Sequence, residues 1–245
     1  MTAFGVLLED LTWLQAEQVL GPETVVVFPI GAAAKEHGPH LLLKNDLLIA
    51  NYLRDRVLAA SEVVVAPTLN YHHYPAFSEY PGSTSLAQDT ARDVVVDICR
   101  SLAAYGPKRF YLLNTGVSTE RALEPAVAVL QAEGILARYT KLSILNEVEK
   151  RLGEQEGGSH ADEIETSMML YIAPESVDMA QAVSDYHPRP GSGLTRNLDG
   201  QASFSPSGVY GDATLATEAK GREVVEFLVK KILAEIEELR AQSQI

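Results

Sequence analysis

Short apolar runs alternate along this chain with segments of helical period. The runs are Thr24 to Phe28, Glu62 to Ala66, Arg109 to Leu113 and Ile135 to Tyr139. Each is continuous and bounded by polar or Gly/Pro-bearing sequence, which predicts strands buried on both faces. The clearest helix runs from Leu86 to Tyr105, where Ala91, Val95, Ile98 and Leu102 recur at spacings of four, three and four. Ser85 and Gln88 offer a capping box at its start, and Gly106-Pro107 ends it. A second helix follows Asn45 or Asp46, either of which suits an N-cap. The last helix lines up Val225, Leu228, Ile232, Ile236 and Leu239, with Lys230, Lys231, Glu237 and Glu238 largely off that stripe, which predicts a packing face. The alternation predicts an α/β fold with a mainly parallel sheet covered on both sides. Residues 188–212, rich in Gly, Ser and Pro, break the pattern; a lid, an oligomer contact and a plain surface loop all fit them. With no internal repeat, the pattern predicts a single domain over residues 1–245.

Composition narrows the partners. Over 245 residues, 46% apolar and 22% charged, the chain has the make-up of a soluble globular protein. A net charge of −13 argues against nucleic acid or an anionic membrane surface as partner. No apolar run of spanning length and no secretory leader pattern is present, which gives a cytoplasmic expectation. The single cysteine, Cys99, has no intramolecular partner and sits in a helical pattern, where packing is its expected role.

In open parallel sheets ligands sit beyond the carboxyl ends of the strands. The segments leaving those ends are Pro29 to Asp46, Pro67 to Thr84 and Asn114 to Thr119. The first places Glu36, His37, His40 and Asp46 in one loop. Imidazole with carboxylate suits zinc, iron and manganese, and a carboxylate can bridge two such ions. A plain turn at Gly38-Pro39 with solvated histidines is the other reading of the same residues.

Several ordered motifs resemble the creatininase family of metal-dependent amidohydrolases. HGPHL, with an aspartate nine residues after its first histidine, is one; YPAFSEYPGSTSL (Tyr74 to Leu86), SHADEIETSMML (Ser159 to Leu170) and SGVYGDATLATEAKG (Ser207 to Gly221) are the others, together with the opening LEDLTWLQAEQVL. The resemblance covers nearly the whole chain. It implies a Rossmann-like, three-layer fold, homohexamers, and hydrolysis of amide C–N bonds in small molecules with zinc, manganese or iron. It implies His37, Asp46 and Glu165 as metal ligands and His160 as the proton-transfer residue. Plain structural roles at a helix start remain the alternative for Glu165 and His160.

Three departures qualify that picture. One extra residue between Gly31 and His37 puts Lys35 where the family has a ligand glutamate; a bulge that brings Glu36 into place is the expectation. In NTGVST, Gly116 and Ser118 stand at positions that supply ligands in dinuclear members, so one ion is expected rather than two, or else recruitment of His40, His72 or His73. NTGVST also permits a backbone anion cradle or a helix N-cap by Ser118 or Thr119. Ser118 as a nucleophile lacks the G-x-S-x-G elbow. Ser159 replaces a glutamate of the creatinine-hydrolysing members, and Trp13 lies far from where those enzymes cover substrate, so creatinine is not the expected substrate. Two functions stay open: a metal-dependent amidohydrolase acting on a small or cyclic amide, and a non-catalytic, oligomeric ligand-binding protein. Intact ligand geometry favours the first, and Lys35 in a cation position the second.

Overall fold

The computed structural model describes residues 4–242. The elements that carry the fold are β1 (Val6–Leu7), α1 (Trp13–Val19), β2 (Val25–Ile30), α2 (Asn45–Ala60), β3 (Val64–Val65), α3 (Gln88–Ala103), β4 (Arg109–Asn114), α4 (Glu120–Ala132), β5 (Leu136–Tyr139), α5 (Asn146–Leu152) and α6 (Glu163–Ile172). Four two-residue strands follow, β6 (Ser184–Asp185), β7 (Leu194–Thr195), β8 (Ser203–Phe204) and β9 (Gly211–Asp212), and then α7 (Glu218–Ala241). The first five strands form one parallel sheet in the order β1-β3-β2-β4-β5.

Alternation along β2 and β4 divides the interior in two. Val25, Val27, Tyr111 and Leu113 face a core shared with α2, α6 and α7. Val26, Phe28, Ile30, Phe110 and Leu112 face a second core with α3 and α4. Three layers result, as the alternating pattern predicted. The α7 stripe is wholly buried. On α3 the buried line runs through Ala91, Val95, Cys99 and Ala103, while Ile98 and Leu102 are only half-buried.

Three expected caps do not form, and at α3 and α4 another partner takes the side chain. The α3 N-cap is Ala87, without a side-chain bond. Ser85 Oγ instead accepts from the Tyr74 N–H at 2.8 Å. Gln88 donates to the Arg121 carbonyl at 2.9 Å, the carbonyl left without its helical donor by Pro125 inside α4. At α2 the N-cap position is Lys44, and Asn45 and Asp46 fall inside the first turn. At α4, Thr119 holds the cap position without capping; its hydroxyl turns back to Asn114 Oδ1 and the Gly116 carbonyl.

Residues 188–212 pack as a wall. Tyr80 donates to the Ser205 carbonyl at 2.8 Å, and Glu79 accepts from the Thr195 hydroxyl and the Arg196 N–H. Among the described residues no helix is long and apolar enough to cross a membrane.

Candidate metal centre

The three loops at the carboxyl ends of the sheet meet around one cavity of about 780 Å³. Lys35 comes from the β2 loop, Phe77 from the β3 loop, Asn114 to Ser118 from the β4 loop, and His160 and Glu165 from the start of α6. The 188–212 wall adds Arg189 and Gly191 to Leu194. Local structure fixes each contributor. Gly31 lies so close to α2 that a Cβ would overlap the Asp46 carbonyl and the Ala50 side chain, so the β2 loop is clamped to the helix that bears Asp46. Asp162 caps α6 by accepting from Ile164 and Glu165 N–H. Ala161, at φ 48°, takes a backbone region costly for a residue with a Cβ, and its N–H donates to Glu165 Oε2 at 2.7 Å.

His37 is held in one tautomeric sense. Its Nδ1–H donates to the Lys35 carbonyl at 2.8 Å, because a carbonyl can only accept. Its Nε2 lies 2.8 Å from Asp46 Oδ1 and 3.5 Å from Glu165 Oε1. A lone pair facing two carboxylates is stable only with a cation among them, either a second ring proton or a metal ion. Nδ1 bonded to a backbone carbonyl with Nε2 turned into the site is how metal-binding histidines are commonly oriented. Glu165 is positioned in turn by Asn45, which donates to Oε1 at 2.9 Å.

His160 is oriented the opposite way round. Its Nε2–H points at the Glu36 carbonyl, 2.9 Å, and at Glu36 Oε2, 3.1 Å. Its Nδ1 faces Glu165 Oε2 at 3.6 Å, and its ring stacks obliquely on Phe77. Burial works against charge at both His160 and Glu36, yet each outweighs it for the other: the His160 ring is pushed up and the Glu36 carboxyl is held below its usual range. Glu36 also accepts from the Gly38 N–H and lies under Gly208, where a Cβ would overlap the carboxylate.

Among the described residues, one group of three or more potential ligands converges: His37, His160 and Glu165, whose ligand atoms lie within 4.8 Å of one another. Asp46 joins this group through His37. Its other oxygen, Oδ2, is 2.7 Å from Lys35 Nζ. Burial raises the Asp46 carboxyl, but the Lys35 and His37 charges overcome it and hold the group well below the carboxylate range. Lys35 thus faces Asp46, and Glu36 faces His160.

The other histidines stand apart. His40 bonds Thr166 Oγ1 at 2.7 Å and is pushed down to about 4 by burial. His72 is buried with both ring nitrogens unpartnered and is likewise held at about 4, and His73 Nδ1–H donates to the Leu86 carbonyl. NTGVST closes on itself: Asn114 Oδ1 accepts the Gly116 N–H at 3.1 Å, so that amide is not open to an anion. Residues to which the sequence reading gave no role in the site are Asn45, Phe77 and Asn114. Asn45 was the legible one, since it adjoins Asp46 at a helix start.

Comparisons with known proteins give the chain's relatives and fold. The chain is 28% identical over 222 residues to the mycofactocin precursor peptide peptidase of Mycobacterium ulcerans, covering 86% of this chain and 84% of that one. It is 26% identical to the creatinine amidohydrolase of Pseudomonas putida, covering 96% and 97%. A solved creatininase variant of Zn-Zn type superposes with a TM-score of 0.80 at 24% identity, over 99% of this chain and all of that one. The family model for creatininase, creatinine amidohydrolase, matches residues 9–236, and the chain belongs to the creatininase family.

Proposed function

We propose that this protein is an amidohydrolase that cleaves a C–N bond with a single divalent ion, zinc first among zinc, manganese and iron. The carrying observation is His37: an Nε2 lone pair fixed by the Lys35 carbonyl and directed at two carboxylates. The donor set fits an ion. Ligand atoms about 2.1 Å from a tetrahedral ion stand about 3.4 Å apart; His37 Nε2 to Glu165 Oε1 is 3.5 Å, while Asp46 Oδ1, 2.8 Å from the same nitrogen, would swing outward to join an ion. His37, Asp46 and Glu165 are the ligands in this reading, and Glu36, expected as a fourth, orients His160. The creatinine amidohydrolase and Zn-Zn creatininase relatives support both the reaction class and the metal.

A divalent ion in this position supplies a Lewis acid that polarises an amide carbonyl and acidifies water. The chain's own residues do the rest. Glu36 keeps the His160 Nε2–H engaged and favours the charged ring, so Nδ1 can hand a proton to the leaving nitrogen. Water oxygen bonds to the carbonyl carbon, the C–N bond breaks, and a carboxylate and an amine leave. Phe77 shields the His160 ring. The cavity of about 780 Å³ admits more than one small ring, so substituted amides and short peptide ends belong in the screen beside cyclic amides. The peptidase relative supports including them.

Metal content per chain, measured by inductively coupled plasma mass spectrometry on untagged protein purified without chelators, tests this. One ion per chain, lost in Asp46→Ala and Glu165→Ala, is the expected result. A second reading, a non-catalytic ligand-binding protein, is favoured by the ammonium of Lys35 on Asp46. It replaces the first if no ion binds after incubation with zinc, manganese or iron.

A further inference from the structure

Lys35 is only 5% exposed, and a buried ammonium is unfavourable unless its charge is closely balanced. The balance here comes from one carboxylate oxygen. Asp46 divides its two oxygens between two cation-seeking neighbours: Oδ1 meets His37 Nε2 at 2.8 Å, and Oδ2 meets Lys35 Nζ at 2.7 Å. A carboxylate used on both oxygens in this way is the arrangement by which carboxylates bridge a pair of ions. Gly116 also approaches Oδ2. A Cβ built there comes within 4.0 Å of Asp46 Oδ2 and closer only to the Thr119 side chain. A side chain at 116 would therefore begin within reach of Oδ2, and the sequence supplies none. The Phe77 ring centroid lies 4.8 Å from Nζ and that of Tyr74 5.9 Å, which favours a cation at this place.

We infer that the Lys35 ammonium is the permanent second cation of the centre: it neutralises Asp46 Oδ2 where a second metal ion would sit, restricts the chain to one divalent ion, and presents its remaining N–H donors to a carbonyl or carboxylate oxygen of the substrate. The inference rests on the one-ion site proposed above. Lys35 lines the cavity with His160 and Glu165, beside the space a bound amide would occupy. An ammonium cannot take a substrate atom as a ligand, but it donates hydrogen bonds and is not removed by chelators.

The test is ion stoichiometry. Metal-free full-length protein is titrated with zinc and the ions per folded chain are counted by native mass spectrometry. Wild type is expected to saturate at one. Lys35→Glu combined with Gly116→His, which removes the ammonium and supplies two ligands beside Oδ2, is expected to reach two, while Lys35→Arg stays at one. One ion in the folded double variant overturns the role of Lys35 and leaves the one-ion site standing, whereas two ions in wild type overturn that role and the single-ion count together. No ion in wild type overturns both. If the double variant does not fold, Lys35→Met decides. Native mass spectrometry at excess zinc should count a second ion on it that wild type does not take, and one ion on both proteins overturns the inference.

Discussion

Lys35 acts on the centre from both ends of the residue. Its carbonyl fixes the His37 ring by accepting from Nδ1, and its ammonium balances Asp46. Glu36, the next residue, performs the matching task for His160. That division was not legible in the sequence. HGPHL and the nine-residue step to Asp46 identified the loop, but which of two adjacent side chains faces Asp46 depends on the backbone path through one extra residue. The path is set by contacts from elsewhere in the chain: Ser83 Oγ accepts the Glu36 N–H at 2.9 Å, and Gly208 leaves room for the carboxylate. The Glu36–His160 pair gives a directional test. Because Glu36 raises the His160 ring and His160 lowers the Glu36 carboxyl, the pair stabilises fully between the ordinary values of 4.5 and 6.5. It is lost as pH rises through the raised His160 value or falls through the lowered Glu36 value. Glu36→Gln should therefore move the basic limb of the pH–rate profile, and the His160 titration followed by NMR, to lower pH. An unmoved limb would show that His160 is not the proton donor. His160→Ala should lower kcat by roughly 10²- to 10⁴-fold while the ion content stays at the wild-type level.

The elements were far more legible than the site, because burial on both faces imposes a continuous apolar run whatever else the residues do. Val25 to Phe28 and Arg109 to Leu113 read as strands for that reason, and both lie at the centre of the sheet. Caps failed because they depend on who else competes for a short polar side chain: Ser85, Gln88 and Thr119 each found a partner from a distant or irregular segment. The α6–α7 contact was invisible in the sequence for another reason. Gly221 of α7 presses on the Ser167 carbonyl of α6, so closely that a Cβ would overlap it, and neither residue announces this by type. The contact fixes the register of the helix that carries Glu165. Lys220 adds to it by pairing with the buried Glu163 at 2.5 Å. Gly221→Ala should lower the unfolding free energy by on the order of 1–3 kcal/mol, read from urea denaturation, and should weaken ion binding with no ligand changed. Full stability in that variant would mean that α7 can shift without cost.

For the molecule as a whole, two opposing charge effects act on acidification. Protonation relieves the self-repulsion of a chain carrying −13, which favours the folded state. His40 and His72 act the other way. Burial holds both at about 4 against an ordinary 6.5, so below 6.5 the unfolded chain binds protons that the folded chain refuses, and stability falls with pH until about 4. A depression of that size corresponds to about 3 kcal/mol for each ring by the time pH reaches 4. Surface repulsion is screened within about 8 Å at physiological salt, whereas the two buried rings are beyond the reach of counterions. The histidine effect should therefore dominate at 0.15 M salt, taken as about physiological, and persist as salt is raised. His72 offers the cleaner test, because both of its ring nitrogens are buried without partners. A buried polar group without a hydrogen bond is unfavourable at any pH, so His72→Leu should at least match wild type near pH 7. Between pH 6.5 and 4.5 it should lose stability less steeply than wild type, since the His72 contribution is gone. Urea denaturation across that window decides the matter: parallel curves for the two proteins would mean that His72 is solvated in the folded state and that acid sensitivity arises elsewhere.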